Sequence, residues 1–157
     1  MPHQKSNSSD DLLETIQKQS DSNLYFVRKL PVNINLAALQ VIQAIEQIKP
    51  KSIICCGMAE SRRHLTVESN AVYDRHCIYT KVNFNKLVNC LNNTKISNDA
   101  GKFVCEGLYY QILNYIQLKK LNIQCIFVHI PPLDADNLKI IKQDFVTIIN
   151  FMQSKLT

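Results

Sequence analysis

The chain has 157 residues, of which 46% are hydrophobic and 20% are charged, and its formal net charge at pH 7 is +5. This length fits one ordinary domain with its own core, and the hydrophobic share argues against disorder. The 18 lysines and arginines are scattered rather than clustered, so nucleic-acid binding is not supported. No apolar run approaches the ~20 residues that span a bilayer. We therefore expect a single domain over residues 1–157, with neither a nucleic-acid nor a membrane partner.

The six cysteines are expected to be reduced thiols. No secretory segment opens the chain, and three of the six lie in apolar runs typical of buried strands or helices. The sequence contains no CxxC pair and no His/Cys spacing typical of a zinc site, so we expect no metal. The composition therefore predicts a cytoplasmic protein.

The first two predicted elements are a helix and a strand. A polar N-terminal segment precedes a helix that runs through Ile16, with Ser8, Ser9 or Asp10 as its cap. The β-forming residues of "NLYFVRKLPV" then predict a strand that stops at Pro31.

The next predicted elements are an amphipathic helix and a buried strand. In "INLAALQVIQAIEQIK" the apolar residues recur at helical spacing, and Pro50 ends the pattern. The short run "KSIICCG" is apolar throughout, as in a strand that is covered on both faces of a parallel sheet. The helical stripe consists of Leu36, Leu39, Ile42, Ile45 and Ile48.

The second half of the chain continues the alternation of strands and helices. "LTVES" predicts a short strand and "NFNKLVNCLNNT" a short helix. A long helix follows over "SNDAGKFVCEGLYYQILNYIQ", and "IQCIFVHIPP" predicts a second buried strand. "DADNLKIIKQDFVTIINFMQSKL" predicts a last amphipathic helix with Asp134 or Asp136 as its cap.

This order indicates an α/β fold with a mostly parallel sheet. The chain has three glycines and no GxGxxG motif, so a dinucleotide cofactor is not expected, and we predict no cofactor at all. Sheets of this class usually begin with a strand, whereas this sequence begins with a loop and a helix.

Three polar residues fall near strand or helix ends, where ligands of such sheets bind. Cys105 begins a helix, His129 ends the strand "CIFVH", and Glu68 ends "LTVE". A thiol nucleophile, an imidazole base and an orienting carboxylate are the groups that a cysteine hydrolase needs. A helix N-terminus stabilises an anion and would lower the pKa of a thiol placed there. The alternative is that Cys105 packs in the core, that His129 is a structural residue and that Glu68 is solvated.

Around these residues the sequence resembles the pyroglutamyl-peptidase I (pyrrolidone carboxyl peptidase) family of cysteine peptidases. "SNDAGKFVCEGLYY" is similar to the family's nucleophile segment "S-x-D/T-A-G-x-F/Y-x-C-N-x-x-Y-Y", and "FVHIPP" is similar to its histidine segment. Cys105 and His129 are 24 positions apart, which agrees with the family's spacing. "KPKSIICCGMAESRRHLTVESNAV" resembles the family's "KPD-x-x-I-x-x-GQAGGR-x-x-I-x-x-E-R-x-A-x-N", with Glu68 at the position of the carboxylate.

The resemblance implies a three-layer α/β/α fold with a central mostly parallel sheet, of the phosphorylase/hydrolase-like class. It also implies an enzyme that removes an N-terminal pyroglutamyl group from peptides through a thioester, without metal or cofactor. Cys105 would be the nucleophile, His129 the general base and acid, and Glu68 the group that orients the histidine. A small peptide would be the substrate, and a homo-oligomer is possible.

The resemblance further implies a set of substrate-binding positions. Phe103 falls on an aromatic residue of the lactam pocket, and Met58 replaces the family's glutamine after the glycine. Asn7 and Arg62 fall on motif residues. We expect these four residues, Phe103, Met58, Asn7 and Arg62, to contact the substrate.

The sequence departs from the family at several positions. The family's first strand and its "TGF-x-PFG" turn have no counterpart, which predicts a domain that is N-terminally truncated relative to the family. "AES" replaces "AGG", and "ESNAVYDRHCIY" does not reproduce the family's later motifs, so Arg75 has no secure equivalent. Glu106 replaces an asparagine, and its charge would raise the pKa of the neighbouring thiol unless its side chain points away. The alternative to an active peptidase is a catalytically impaired relative that binds a ligand or partner.

Overall fold

The computed structural model of the chain describes residues 6–20 and 23–154. Helices and strands alternate through most of this part of the chain, as predicted. In chain order, the elements are α1 (Ser8–Gln19), α2 (Ile34–Ile48), β1 (Ser52–Met58), β2 (Thr66–Glu68), β3 (Asn70–Tyr73), β4 (His76–Tyr79), α3 (Phe84–Val88), β5 (Lys95–Ser97), α4 (Val104–Leu118), β6 (Gln124–Ile130) and α5 (Leu138–Ser154).

The central sheet has four strands in the order β1-β6-β2-β5. β1 is parallel to β6 and β2 is parallel to β5, whereas β2 is antiparallel to β6. The mostly parallel sheet is therefore confirmed. Strands β3 and β4 form a separate hairpin, which the sequence pattern does not predict. Asp74 and Arg75, between these strands, both have positive φ, which matches a tight hairpin turn.

Helices cover both faces of the central sheet and form two apolar clusters. The side chains of β6 alternate between the faces, as in any strand. Ile126, Val128 and Ile130 join the cluster that α1 and α5 cover. Cys125 and Phe127 point to the opposite face and join the cluster of α2 and α4. The expected three-layer α/β/α arrangement is thus confirmed.

The strand predicted from "NLYFVRKLPV" is wrong, because residues 24–32 have an irregular conformation. A groove of about 730 Å³ separates this segment from β1, and its walls include apolar side chains of α2 and α5. Arg28 instead ties the segment to α1, since its Nε lies 2.8 Å from Asp10 Oδ1. The β-forming residues lie beside the sheet without joining it.

The predicted helix ends are partly corrected. The side chain of Asn7, not of Ser8, Ser9 or Asp10, caps α1 by accepting from two backbone N–H groups. Asp134, one of the two residues expected to cap the last helix, accepts from the backbone of Asp136 and Asn137 in the turn before α5, and the helix itself begins later, at Leu138. The predicted end of the last helix, beyond residue 154, lies outside the described residues. Among the described helices, none is both long and apolar enough to cross a membrane.

Candidate active site

The loop before α4 places Cys105 in the first turn of that helix. Gly101 has a φ of +92°, and its N–H donates to Asp99 Oδ1 over 3.0 Å, so the chain turns sharply here. Phe103 is the N-cap residue, and its side chain makes no capping hydrogen bond. The first N–H groups of α4 are therefore not engaged by a capping side chain.

Cys105 and His129 lie on the same side of the central sheet. In the parallel register of β1 and β6, Gly57 is the partner of His129. The Cα–Cβ direction at both positions therefore points to the same face of the sheet. A Cβ atom added to Gly57 would lie only 2.7 Å from Cys105 Sγ. The sulfur therefore occupies the space above Gly57, and β1, which carries Gly57, is the neighbour of the strand that carries His129.

His129 and Glu68 form a buried pair. His129 Nδ1 lies 2.7 Å from Glu68 Oε1, and the side chains are 5% and 0% exposed. The pair connects two neighbouring strands, because β2 and β6 are adjacent in the sheet. Phe127, two residues earlier on the same face of β6, packs its ring 4.7 Å from the imidazole of His129. The imidazole is thus held by a hydrogen bond and by ring packing.

The environment of Glu68 favours its ionised form. Burial raises the pKa of this carboxyl, but the hydrogen bond from His129 and the charge of Arg62 outweigh burial, so that the pKa lies below its ordinary value. An ionised carboxylate can only accept hydrogen bonds. His129 Nδ1 must therefore carry the proton and donate it, which leaves Nε2 of the neutral ring free to accept one.

The expectation that the helix N-terminus acidifies Cys105 is wrong. Burial, the neighbouring Cys55 and the charge of Glu68 raise the pKa of the Cys105 thiol, and a backbone hydrogen bond offsets this only in part. The sequence places Cys105 at a helix start but does not reveal how much apolar surface covers it. The raised pKa favours the neutral form of the Cys105 thiol.

Glu106 points away from the sulfur. Its Oε1 accepts a hydrogen bond of 3.1 Å from the backbone N–H of Val72 in the β3–β4 hairpin. Burial and the charges of Asp99 and Glu68 raise the pKa of the Glu106 carboxyl, although the Val72 N–H lowers it in part. The residue that replaces the family's asparagine thus binds the hairpin.

The four residues expected to contact substrate have different surroundings, and one of them, Arg62, contacts Glu68 directly. Phe103 is 83% exposed. Met58 Sδ lies 3.4 Å from the backbone nitrogen of Ser8, close to the start of α1. The side chain of Asn7 caps that helix. The guanidinium of Arg62 binds Glu68 and the carbonyl oxygen of Asp99.

Two contacts at the site are not predicted by the sequence. Tyr109, one helical turn after Cys105, donates from its hydroxyl to the backbone oxygen of Glu68 over 3.0 Å. Arg62 joins Glu68 to the loop before α4. The spacing of Cys105 and Tyr109 placed both on one face of a helix, but the partner strand was not predictable. Within the described residues, no group of three or more His, Cys, Asp or Glu side chains could hold a metal ion.

Known sequences include proteins that are similar to this chain. A family model described as pyroglutamyl peptidase matches residues 75–146, a segment that includes Cys105 and His129 but not Glu68. A pyrrolidone-carboxylate peptidase of Thermoanaerobacter sp. is 26% identical, with 84% of this chain and 78% of the relative covered. A pyrrolidone-carboxylate peptidase of Bacillus licheniformis is 30% identical, with 66% of this chain and 60% of the relative covered.

Solved structures share the fold. A mutant pyrrolidone carboxyl peptidase from Pyrococcus furiosus superposes with a TM-score of 0.83 at 18% identity, covering 99% of this chain and 94% of that one. Pyroglutamyl peptidase I of Bacillus amyloliquefaciens gives a TM-score of 0.78 at 18% identity, covering 93% and 88% of the two chains. These matches confirm the resemblance that the motifs indicated: by sequence and by fold, this chain is related to the pyroglutamyl peptidase family of cysteine peptidases.

Proposed function

We propose that this chain is a cysteine exopeptidase that removes an N-terminal pyroglutamyl group, or a related lactam or acyl group, from small peptides. The observation that carries the proposal is the arrangement of Cys105, His129 and Glu68 on one face of the sheet. The names and motifs of the relatives support the choice of substrate, and the geometry supports the chemistry.

The first half of the reaction forms a thioester. His129 Nε2 takes the proton of the Cys105 thiol as the sulfur attacks the carbonyl carbon of the pyroglutamyl group. The N–H groups at the start of α4, which the side chain of the N-cap residue does not engage, would stabilise the oxyanion that forms. The imidazolium then returns the proton to the leaving amine, and the shortened peptide departs. Glu68 stabilises the charged imidazolium throughout.

The second half hydrolyses the thioester. His129 removes a proton from water, which attacks the acyl carbon and forms a second tetrahedral intermediate. Collapse of this intermediate releases free pyroglutamate and returns the proton to the sulfur. No external base or cofactor is needed, because the same imidazole serves as base and acid in both halves. A neutral resting thiol fits this scheme, since the proton moves during the attack.

Location and assembly are part of the proposal. All six cysteines lie in described segments and none is in a disulfide. A reducing compartment such as the cytoplasm would keep the nucleophile in this state. A homo-oligomer remains an expectation from the resemblance, which sedimentation of the purified protein would test.

The test compares the wild type with Cys105→Ala on a pyroglutamyl amide of a chromogenic amine. We expect wild-type turnover and a loss of at least about 10³-fold in the variant, because the thioester cannot form without the Cys105 sulfur. Cys90→Ala is the matched control, since Cys90 is an exposed free cysteine remote from the site, and it should retain wild-type turnover. A prolyl amide, which lacks the lactam carbonyl, should be a poor substrate.

Two results would contradict the proposal. Unchanged turnover by Cys105→Ala would exclude this nucleophile. A folded wild-type protein without turnover on pyroglutamyl and related acyl amides would instead favour a catalytically impaired relative that binds a ligand or partner.

A further inference from the structure

Arg62 connects the carboxylate of the site to the loop that leads into the nucleophile helix. Its Nη1 lies 2.5 Å from Glu68 Oε1 and also donates to the hydroxyl of Thr66. Its Nη2 donates to the backbone oxygen of Asp99 over 2.5 Å. The Arg62 side chain is only 23% exposed. Both terminal nitrogens are therefore committed to protein acceptors.

The acceptor on Glu68 is the same oxygen that binds His129. Oε1 accepts from Nη1 of Arg62, from Nδ1 of His129 and, over 3.2 Å, from the Thr66 hydroxyl. Three donors on one oxygen, one of them the guanidinium, fix the position of a carboxylate and, through it, the ring that it orients. The positive charge also lowers the pKa of Glu68, which burial alone would raise.

The second acceptor links the same guanidinium to Cys105. Asp99 begins the turn at Gly101, and α4 follows within a few residues. Hydrogen bonds between Ser97 and Asp99 hold the turn from the strand side. A planar guanidinium has donors in a fixed fork, so one side chain can set the distance between carboxylate and loop.

We propose that Arg62 is a positioning residue, which aligns Glu68 and His129 with the helix that carries Cys105, and that it does not contact the substrate. This inference rests on the proposed function and replaces the substrate contact expected for Arg62 from the sequence. It differs from a merely structural ion pair, because the bridge ends on the oxygen that orients the imidazole.

The experiment uses two variants and one control in the full chain. Arg62→Met removes the charge and keeps the length, whereas Arg62→Lys keeps the charge and loses the fork. Arg63→Met is the matched control, since Arg63 is the next residue and its side chain is exposed. Steady-state kinetics on the pyroglutamyl amide would be measured from pH 4 to pH 9.

We expect kcat of Arg62→Met to fall at least about tenfold, which is part of the 10²–10⁴-fold that a positioned acid–base group supplies. KM should stay within about twofold. Loss of the positive charge raises the pKa of Glu68, so the acidic limb of the pH profile should move to higher pH. Arg62→Lys should keep the wild-type acidic limb with a reduced kcat. Arg63→Met should match the wild type.

A readout without substrate separates this inference from the proposed function. The ¹⁵N chemical shifts of the His129 ring report its tautomer and should show Nδ1 protonated in the wild type. We expect a mixture of tautomers in Arg62→Met, whether or not the protein is an active peptidase. The folded fraction of each variant would be checked by circular dichroism. If Arg62→Met does not fold, the His129 tautomer is measured in Arg62→Lys instead.

Two outcomes would overturn the inference. A raised KM with unchanged kcat would mean that Arg62 binds the substrate after all. A lower stability with unchanged kcat, pH profile and His129 tautomer would mean that the bridge is only structural.

Discussion

Gly57 leaves the space in which the Cys105 sulfur lies. A Cβ at this position would lie 2.7 Å from Sγ and 3.0 Å from the edge of the Phe127 ring. Both distances are well below an ordinary van der Waals contact of about 3.5–4.0 Å. The glycine that ends "KSIICCG" is therefore required by a close approach, and this approach sets how near the Cys105 sulfur, the proposed nucleophile, comes to the sheet.

Gly57→Ala should displace the sulfur. We expect a fall in kcat/KM of at least about tenfold, because a displacement of about 1 Å can cost 10²-fold. The free energy of unfolding should also fall by roughly 1–3 kcal/mol from overpacking. The first quantity is measured with the pyroglutamyl amide and the second by urea denaturation.

The matched control repeats the substitution in a Cys105→Ala background. Without Sγ, the new methyl group meets only Phe127, so Gly57→Ala should destabilise this background less than the wild type. Equal destabilisation in the two backgrounds would show that the sulfur is not the neighbour that Gly57 accommodates.

For individual residues, the sequence predicted which side chains of the site lie close together, but not the pKa of the Cys105 thiol or the partner of Glu106. The pairing of Glu68 with His129, and the position of Cys105 on the same face, follow from spacing and resemblance. The raised thiol pKa was not predictable, because it depends on burial by elements distant in sequence. The partner of Glu106 was hidden for the same reason, since the β3–β4 hairpin itself was not foreseen.

At the scale of elements, the start of α1 is defined by one side chain. Asn7 Oδ1 accepts from the backbone N–H groups of Ser9 and Asp10, and from the Ser9 hydroxyl over 2.7 Å. The helix start lies beside the ends of β1 and β6, because Ser8 Oγ donates to the backbone oxygen of Ile130. Asn7 thus fixes an element that borders the site.

Asn7→Ala should therefore reduce stability more than activity. Loss of an N-cap costs about 1 kcal/mol, measured here as the free energy of unfolding in urea. Asn7→Ser is the control, because serine caps equally well and should restore stability. KM should stay within about twofold in both variants. A raised KM in both, with serine stable, would instead support the substrate contact expected from the sequence.

The elements differ in how well the sequence predicted them. The long helices and both buried strands were found, because their apolar periodicity extends over many residues. The segment 24–32 was mistaken for a strand because β propensity reflects packing on a sheet, and this segment packs beside one without pairing. The β3–β4 hairpin was missed because its turn residues, Asp74 and Arg75, are not a strong turn pair.

At the scale of the whole molecule, two buried carboxylates have different tasks. Among the described residues, Glu68 and Asp144 are 0% and 2% exposed. Glu68 meets charged and ionisable partners at the site. Asp144, on α5, accepts hydrogen bonds from the chain just before β5, at Asn92, Asn93 and Thr94. One carboxylate thus serves the proposed chemistry, and the other joins two elements far apart in sequence. Sequence periodicity predicted α5 but gave no signal for this long-range contact.

The network around Asp144 predicts how stability depends on pH. Burial raises the pKa of Asp144, but its backbone and side-chain hydrogen bonds outweigh burial and hold it below the ordinary value of 3.8. A carboxyl with a lowered folded-state pKa stabilises the fold above its unfolded-state pKa. This stabilisation is lost as the pH falls through the folded-state value. The urea midpoint should therefore decrease below about pH 4, with Glu68 contributing in the same direction.

Asp144→Asn isolates the contribution of this carboxylate. The amide cannot accept from all of these donors, so we expect a loss of about 2–4 kcal/mol at pH 7, measured by urea denaturation. Between pH 7 and pH 3 the variant should lose less stability than the wild type, because it lacks a titrating group at this position. Asp136→Asn removes an exposed carboxylate from the turn before α5 and should leave both quantities unchanged. Parallel pH curves for the wild type and Asp144→Asn would mean that the stability of the whole molecule in acid does not depend on this link.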